Sequence, residues 1–409
     1  MTGIPAPRSP LADEPTALSL RAAVRKVPLE EHRLAGRVFE RHEIAADFTE
    51  RSTGVPAKLS SRSEMVVRYR VPDSLIPVTL GFYGDVNRVR SCLPGLPDRA
   101  NHESVAVLAR AAAPPVYVMR PRERWPEVDL NVLPVLPCRN AKPSITMGVV
   151  YANQCGVTSM SAHRMVVLDK THLMLWVGQE DGLLALHADA MAAGERLAVS
   201  VNLGPPPAAM VAATLASPLW PAGRPAMAGA LAGAPLALSA GVSATILADS
   251  EIVLEGYLDD TVHGGHPVLT VTAMTTRPDP TYHALLETGR ERSVVLGLAG
   301  ALSVAHALGD DLVTDVHHSP AGGTPLLVIS VHKRCPDDDH RLPEIARRVF
   351  EHHQHGELIV FTDDDVDISC AEDVLWAIAT RGTHRSEWSR GRAFVDATVP
   401  FGRTASQSR

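Results

Sequence analysis

The residues with chemistry to offer fall into a few tight groups. Asp259, Asp260, His263 and His266 lie close together between two apolar runs. A carboxyl beside an imidazole can move a proton near neutral pH, so this set is a candidate for acid/base work. Gly264 and Gly265 sit between the two histidines, so the same residues also read as a polar β-turn, and the turn is preferred. Asp363, Asp364, Asp365 and Asp367 offer the hard oxygen donors that a divalent cation takes. Alternate carboxylates at a strand end are more often solvated, and a structural role is expected. Asp181 beside Glu180 presents a similar choice between a cation ligand and the acidic start of a helix, which is preferred. Lys333, flanked by His332 and Arg334, is a candidate for meeting an anion.

The generic fingerprints are missing: there is no phosphate-binding G-x-x-x-x-G-K, no dinucleotide G-x-G-x-x-G after a strand, no H-E-x-x-H and no G-x-S-x-G. The five cysteines, Cys92, Cys138, Cys155, Cys335 and Cys370, form no C-x-x-C pair. They indicate neither a zinc knuckle nor a disulfide framework, and a reducing cytoplasm is the expected compartment.

The elements that must position these groups are legible in outline. The 409 residues, 45% of them hydrophobic, can bury a large core in two or three domains. A net charge of −7 with interspersed signs argues against a nucleic-acid or anionic-membrane partner. The uncharged stretch 225–248 is long enough to span a bilayer, but its Ala/Gly composition and Pro235 argue against a span. Residues 1–16, rich in proline and acidic groups, read as a disordered tail.

Residues 17–124 are expected to form an N-terminal α/β domain with an amphipathic segment near 20–38. The runs SITMGVVYA, RMVVLD, HLMLWVG, RLAVSVNLG, SEIVLEGYL and PVLTVTAMTTR read as strands of a barrel or sandwich within residues 125–288. LLALHADAMAAG supplies one helix among them. Residues 289–409 alternate helix and strand, which favours a closing α/β domain with a largely parallel sheet.

Several segments resemble the UbiD family of prenylated-flavin decarboxylases in order and spacing. They are VDLNVLPV (128–135), SITMGVVYA (144–152), SMSAHRMVVLDKTHL (159–173), GERLAVSVNLGPPPAAM (194–210), SEIVLEG (250–256) and TTRPDPTYH (275–283). VISVHKR (328–334), FTDDDVDI (361–368), VLWAIATR (374–381) and VDAT (395–398) continue the series. The resemblance implies an N-terminal α/β domain, a central split β-barrel that binds prenylated FMN, and a C-terminal α/β oligomerisation domain. It further implies a homodimer or higher assembly, with LPEIARRVFEHH and VLWAIATR burying apolar faces between subunits.

The family's N-x-x-x-x-R element corresponds to Ser159 through Arg164, which makes Arg164 the expected catalytic arginine and puts Ser159 where a metal-binding Asn stands. Ser161 and Lys333 correspond to cofactor-contacting positions. Asp181 and Arg224 fall where the metal-binding His and Glu are expected, so divalent-metal binding is not expected. The family's E-G-P-F-G-E segment, source of two catalytic carboxylates, is absent after SEIVLEGYLDD. Asp260, His263 and His266 are the candidate substitutes.

The resulting expectation is a carboxy-lyase of bacterial specialised metabolism acting on an unsaturated or aromatic carboxylic acid. It would depend on a flavin prenyltransferase if the cofactor is retained. The alternatives are a flavin-free enzyme that reuses the cavity for dehydration, cyclisation or isomerisation, and a non-catalytic partner of an intact relative.

Overall fold

A computed structural model describes residues 16–51, 64–137, 143–178, 181–216, 220–263, 265–287, 289–319, 325–352, 356–382 and 391–403. The expected tail therefore lies outside the described residues, apart from Thr16.

Six runs of β-branched and apolar residues form the centre. They are β1 (Ser144–Gln154), β2 (Val157–Val167), β3 (His172–Trp176), β4 (Ala198–Leu203), β5 (Ile252–His263) and β6 (His266–Thr276). Each pairs antiparallel with its neighbours in the order β5-β4-β1-β2-β3-β6, and β6 pairs back with β5, so the sheet closes into a barrel. Closure removes the open edges that a sheet otherwise exposes. At the β5–β6 seam, Gly256 lies where a Cβ would come within 1.9 Å of the Thr270 carbonyl oxygen. Only glycine allows the strands to approach so closely there. The β5–β6 hairpin brings His263 opposite His266, with Gly265 at φ +86° in the turn. The tight turn is therefore present.

Alternation along the strands sorts residues between two cores. Val150, Met165, Leu175, Val201, Leu254 and Leu269 belong to one core, joined by Leu183, Leu186 and Ala190 of helix α1 (Gly182–Ala192). Val149, Tyr151 and Met160, from the other face, join helix α2 (Gly223–Ala232) and the long α3 (Arg290–Leu308) in the second. Burying each such side chain contributes about 1.5–3 kcal/mol before entropy is counted. Within 225–248 the chain forms most of α2 and the short strands Ala237–Ala240 and Thr245–Leu247. No helix among the described residues is long and apolar enough to cross a membrane.

Two expectations need correction. The segment 20–38 is not one amphipathic element: helix Leu20–Arg25 stops, Pro28 precedes a short 3-10 turn, and His32–Val38 continues as a strand. Proline removes a donor and fixes φ, which favours such a break. Helix α4 (Leu342–His352) turns its apolar face inward, with Leu342, Ile345, Ala346, Val349 and Phe350 packed in the chain's own core instead of awaiting a second subunit. Helix α5 (Ala371–Arg381) does leave Leu375 and Trp376 about half exposed.

In the C-terminal sheet, strand Val313–His318 runs antiparallel to Leu326–Val331, and the remaining neighbours, Leu358–Asp363 and Ala393–Ala397, are parallel. Two pairings tie the expected domains together. Glu123–Arg124 adds to β6, and Tyr282–His283 adds to strand Ser74–Leu80 of the N-terminal sheet.

Candidate functional site

Strand β2 carries the chemistry on both faces. The burial alternation puts Ser159, Ser161 and His163 on one side and Arg164 on the other. Arg164 and Trp176 are register partners on β2 and β3, and the guanidinium carbon lies 5.6 Å from the Trp176 ring centre. The His266 ring stacks on Trp176 at 4.6 Å. Arg164 Nη1 donates to Glu287 Oε1, in the short connection before α3, and Nε is buried without a hydrogen bond. Burial lowers the pKa of Arg292, in the first turn of α3; the Glu287 carboxylate opposes that and the Arg164 charge adds to it. The arrangement is one carboxylate held by the Arg164 guanidinium, with an aromatic pair alongside.

On the opposite face Ser161 Oγ shares a 2.6 Å hydrogen bond with His163 Nε2, and His163 Nδ1 lies 3.1 Å from the Trp176 carbonyl. A carbonyl only accepts, so the ring proton sits on Nδ1, and Nε2 accepts from Ser161. Burial keeps the His163 pKa below its ordinary value, consistent with a neutral ring. Asp181 is the N-cap of α1: its Oδ1 accepts from Leu183 N at 2.9 Å and lies 3.3 Å from Ser161 Oγ. Arg224, second residue of α2, donates from Nε to the Leu215 carbonyl at 2.8 Å and from Nη1 to the Met160 carbonyl at 3.0 Å. Burial lowers its pKa and the Asp181 charge raises it.

A hard divalent ion takes at least six oxygen-rich ligands, carboxylates foremost. The corresponding positions here offer a hydroxyl, a carboxylate engaged as a helix cap, and a guanidinium, which has no acceptor to give. This donor set does not fit such an ion, and the described residues hold no cluster of three His, Cys, Asp or Glu able to bind a metal.

The other sequence candidates separate. His266 joins Arg164 through Trp176, whereas the side chains of Asp260 and His263, like Glu180, lie outside the described residues. Asp259 takes the Thr270 hydroxyl and, at 3.2 Å, Arg196. Lys333 is not brought to the barrel cluster. Its ammonium donates to Asp339 Oδ1 at 2.6 Å, Thr398 Oγ1 at 2.5 Å and the Val399 carbonyl at 2.9 Å. All three protons are spent, so the expected cofactor contact has no donor left in this arrangement. Asp363 and Asp365 pair with Arg381, Asp364 with His332, and Asp367 caps Ser369. Glu287 is the functional candidate that sequence reasoning missed. Its signal was a single charged residue set between Leu285–Leu286 and the glycine that starts α3.

Four residues further on, Glu291 is 2% exposed, accepts from Tyr83 N at 3.0 Å and lies 3.5 Å from His283 Nε2. Burial raises its pKa to about 8, and that of the neighbouring Glu64 to about 7. A carboxyl pKa raised on folding stabilises fully below the unfolded value near 4.3, and that stability is lost as pH rises through the folded value. Glu291→Gln keeps the carbonyl acceptor and cannot ionise. Between about pH 5 and about pH 9 the native protein should therefore lose melting temperature relative to this variant. A constant difference across that range would show that Glu291 titrates normally.

The model of the 3-octaprenyl-4-hydroxybenzoate carboxy-lyase Rift-related domain, UbiD, matches residues 109–290, and that of the corresponding C-terminal domain matches 293–389. Anhydromevalonate phosphate decarboxylase of Methanosarcina mazei is 31% identical over 278 residues, 62% of this chain and 64% of that protein. Gallate decarboxylase of Lactiplantibacillus plantarum is 27% identical over 280 residues, 59% of this chain and 57% of that protein. The matched stretch thus spans less than two thirds of either relative. Among solved structures, 3,4-dihydroxybenzoic acid decarboxylase of Klebsiella pneumoniae superposes with a TM-score of 0.79 at 23% identity, covering 94% of this chain and 95% of that one. HmfF of Pelotomaculum thermopropionicum, solved with prFMN, gives 0.79 at 24% identity over 95% and 96%. At these identities the structural likeness concerns the fold.

Proposed function

The chain belongs to the UbiD family of carboxy-lyases, and from that premise we propose that it decarboxylates an unsaturated or aromatic carboxylic acid on the outer barrel wall around Arg164. The observation that carries this reading is the Arg164–Glu287 pair beside Trp176 and His266. A guanidinium offers a carboxylate two parallel hydrogen bonds, which fixes its plane and its distance from neighbouring groups. The indole and imidazole rings give a flat unsaturated acid an aromatic wall.

Loss of CO2 leaves an electron pair on carbon that must be held and then protonated. A prenylated flavin, when bound, supplies the electrophile that holds it. The chain's own part is to orient the acid through Arg164 and to return a proton. Glu287 is the carboxyl closest to that task. When the substrate carboxylate takes the guanidinium, Glu287 is displaced from its pair, takes up a proton from water and hands that proton to carbon. The reading includes assembly as a homodimer, for which the half-exposed Leu375 and Trp376 of α5 offer an apolar contact.

The test is to produce the chain together with a flavin prenyltransferase and to follow two readouts: the mass and absorbance of bound flavin, and solvent-deuterium incorporation into the decarboxylated products of aromatic and α,β-unsaturated acids. Bound prenylated flavin with deuterium in the product of at least one acid is the expected result. Flavin-free protein without deuterium in any product would reject the reading.

A further inference from the structure

A cleft of about 850 Å³ opens where three parts of the chain meet: the segment 86–100, one side of α3, and the loop 364–372 that leads into α5. Neither Arg164, Trp176, His266 nor Glu287 lines it, so it is separate from the barrel wall. A space of that size takes a small ligand together with its waters.

The charges on its walls are sorted by sign. The segment 86–100 brings Arg90 and Arg99, with Asp98 exposed beside them, and the start of α3 adds Arg290. The loop 364–372 brings Asp364, Asp365, Asp367 and Glu372 and no basic residue. Arg90 gives one donor to the Pro97 carbonyl at 3.0 Å, and neither Arg90 nor Arg99 has an ion-pair partner among the described residues. Asp315 is a carboxylate that feels both, but its Oδ1 already accepts from Ala100 N and Val316 N at 2.8 Å each. Burial raises its pKa, which weakens it as a counter-ion.

The acidic wall shows the converse. Asp365 is matched by Arg381 and Asp364 by His332, whereas Asp367 accepts only from neutral donors, Ser369 N at 2.9 Å and the Ser369 hydroxyl at 2.6 Å. His317 also lines the cleft, and burial lowers its pKa to about 4, so its neutral ring brings no cation to Asp367. Between the charged walls, Leu96, Val316 and the α3 residues Val294, Leu298, Ala301 and Leu302 form an apolar surface. A simple anion drawn to the guanidiniums would meet the acidic loop, and a simple cation drawn to that loop would meet the guanidiniums. One molecule carrying both charges satisfies both walls.

We propose that this cleft binds a small zwitterion with an apolar body, of the α-amino-acid kind. Its carboxylate pairs with Arg90 and Arg99, its ammonium with Asp367, and its side chain lies against α3. The site does not depend on the carboxy-lyase reading.

The probes are L-phenylalanine, L-phenylalaninamide, which lacks the negative charge, and N-acetyl-L-phenylalanine, which lacks the positive one. In calorimetric titration of the full chain, the amino acid should bind about ten- to a hundredfold tighter than either derivative, the increment of a charge-assisted contact. Arg90→Gln should weaken the amino acid and the N-acetyl derivative by about tenfold while the amide stays within about threefold. Asp367→Asn should do the reverse, weakening the amino acid and the amide and sparing the N-acetyl derivative. Arg164→Ala should leave all three affinities unchanged. Circular dichroism checks folding, and if Arg90→Gln unfolds, Arg99→Gln carries the same arm, since that side chain is exposed. Independently of any variant, phenylalanine should slow alkylation of Cys370, which lines the cleft, and not of the exposed Cys155, as read by peptide mass.

An N-acetyl derivative or an amide that binds as tightly as the amino acid would overturn the proposal, because the site would then take a single charge. So would affinities indifferent to both Arg90→Gln and Asp367→Asn, loss of binding in Arg164→Ala, or no binding of any probe at millimolar concentration.

Discussion

Arg164→Ala is expected to leave the barrel folded and to weaken binding and turnover of the carboxylic-acid ligand by about thirty- to a thousandfold, or roughly 2–4 kcal/mol. The size follows from what is lost. A planar fork with two donors disappears, and Glu287 loses the Arg164 guanidinium that now holds it. Arg164→Lys should recover little, because a point-charge ammonium cannot make two parallel bonds to one carboxylate or lie flat against Trp176. Melting temperature should move by only a few degrees, since the side chain is 28% exposed and packs no core. Isothermal titration with the substrate acid, run beside thermal denaturation, separates the two effects. Normal affinity and turnover in Arg164→Ala would remove the outer barrel wall as the functional site.

Much of the frame that holds Arg164 could be read from sequence, for a physical reason. Barrel strands such as Ser144–Gln154 and Ala198–Leu203 carry short Val/Ile/Leu-rich runs bounded by turn formers, and that local signal survives without knowledge of neighbours. The hairpin at His263–His266 was legible because its glycines mark the turn.

What could not be read is what a helix or side chain meets across space. The amphipathic face of Leu342–His352 looks the same whether it packs on another subunit or, as here, on the chain's own core. Lys333 stands in a motif, but Asp339, Thr398 and Val399, from two later segments, consume its protons. Arg164 was identified by its place in an ordered series of motifs, and the period-2 alternation of the strand puts Ser159 and Ser161 on its opposite face. Glu287 lay outside every motif, and its link to Arg164 spans 123 positions. A contact of that kind leaves no periodic trace.

That contact supports the second large effect. Glu287→Gln should lower kcat by about a hundred- to ten-thousandfold, the usual range for removing a general acid, while the substrate acid binds within about threefold of normal. Glutamine keeps the size and a carbonyl acceptor for the Arg164 fork, so the positioning of Arg164 survives, but an amide cannot deliver a proton to carbon. The split between kcat and affinity distinguishes this role from a merely structural one, which would disturb both together through Arg164. Solvent-deuterium incorporation gives a sharper view, because the exchange needs the same proton transfer and should fall in parallel with turnover. Glu287→Asp retains the acid but withdraws it by one methylene, so an intermediate rate is expected. Should Glu287→Gln turn over and exchange deuterium at the native rate, the proton must come from elsewhere. His266, stacked on Trp176 at 4.6 Å, would then be the next group to replace.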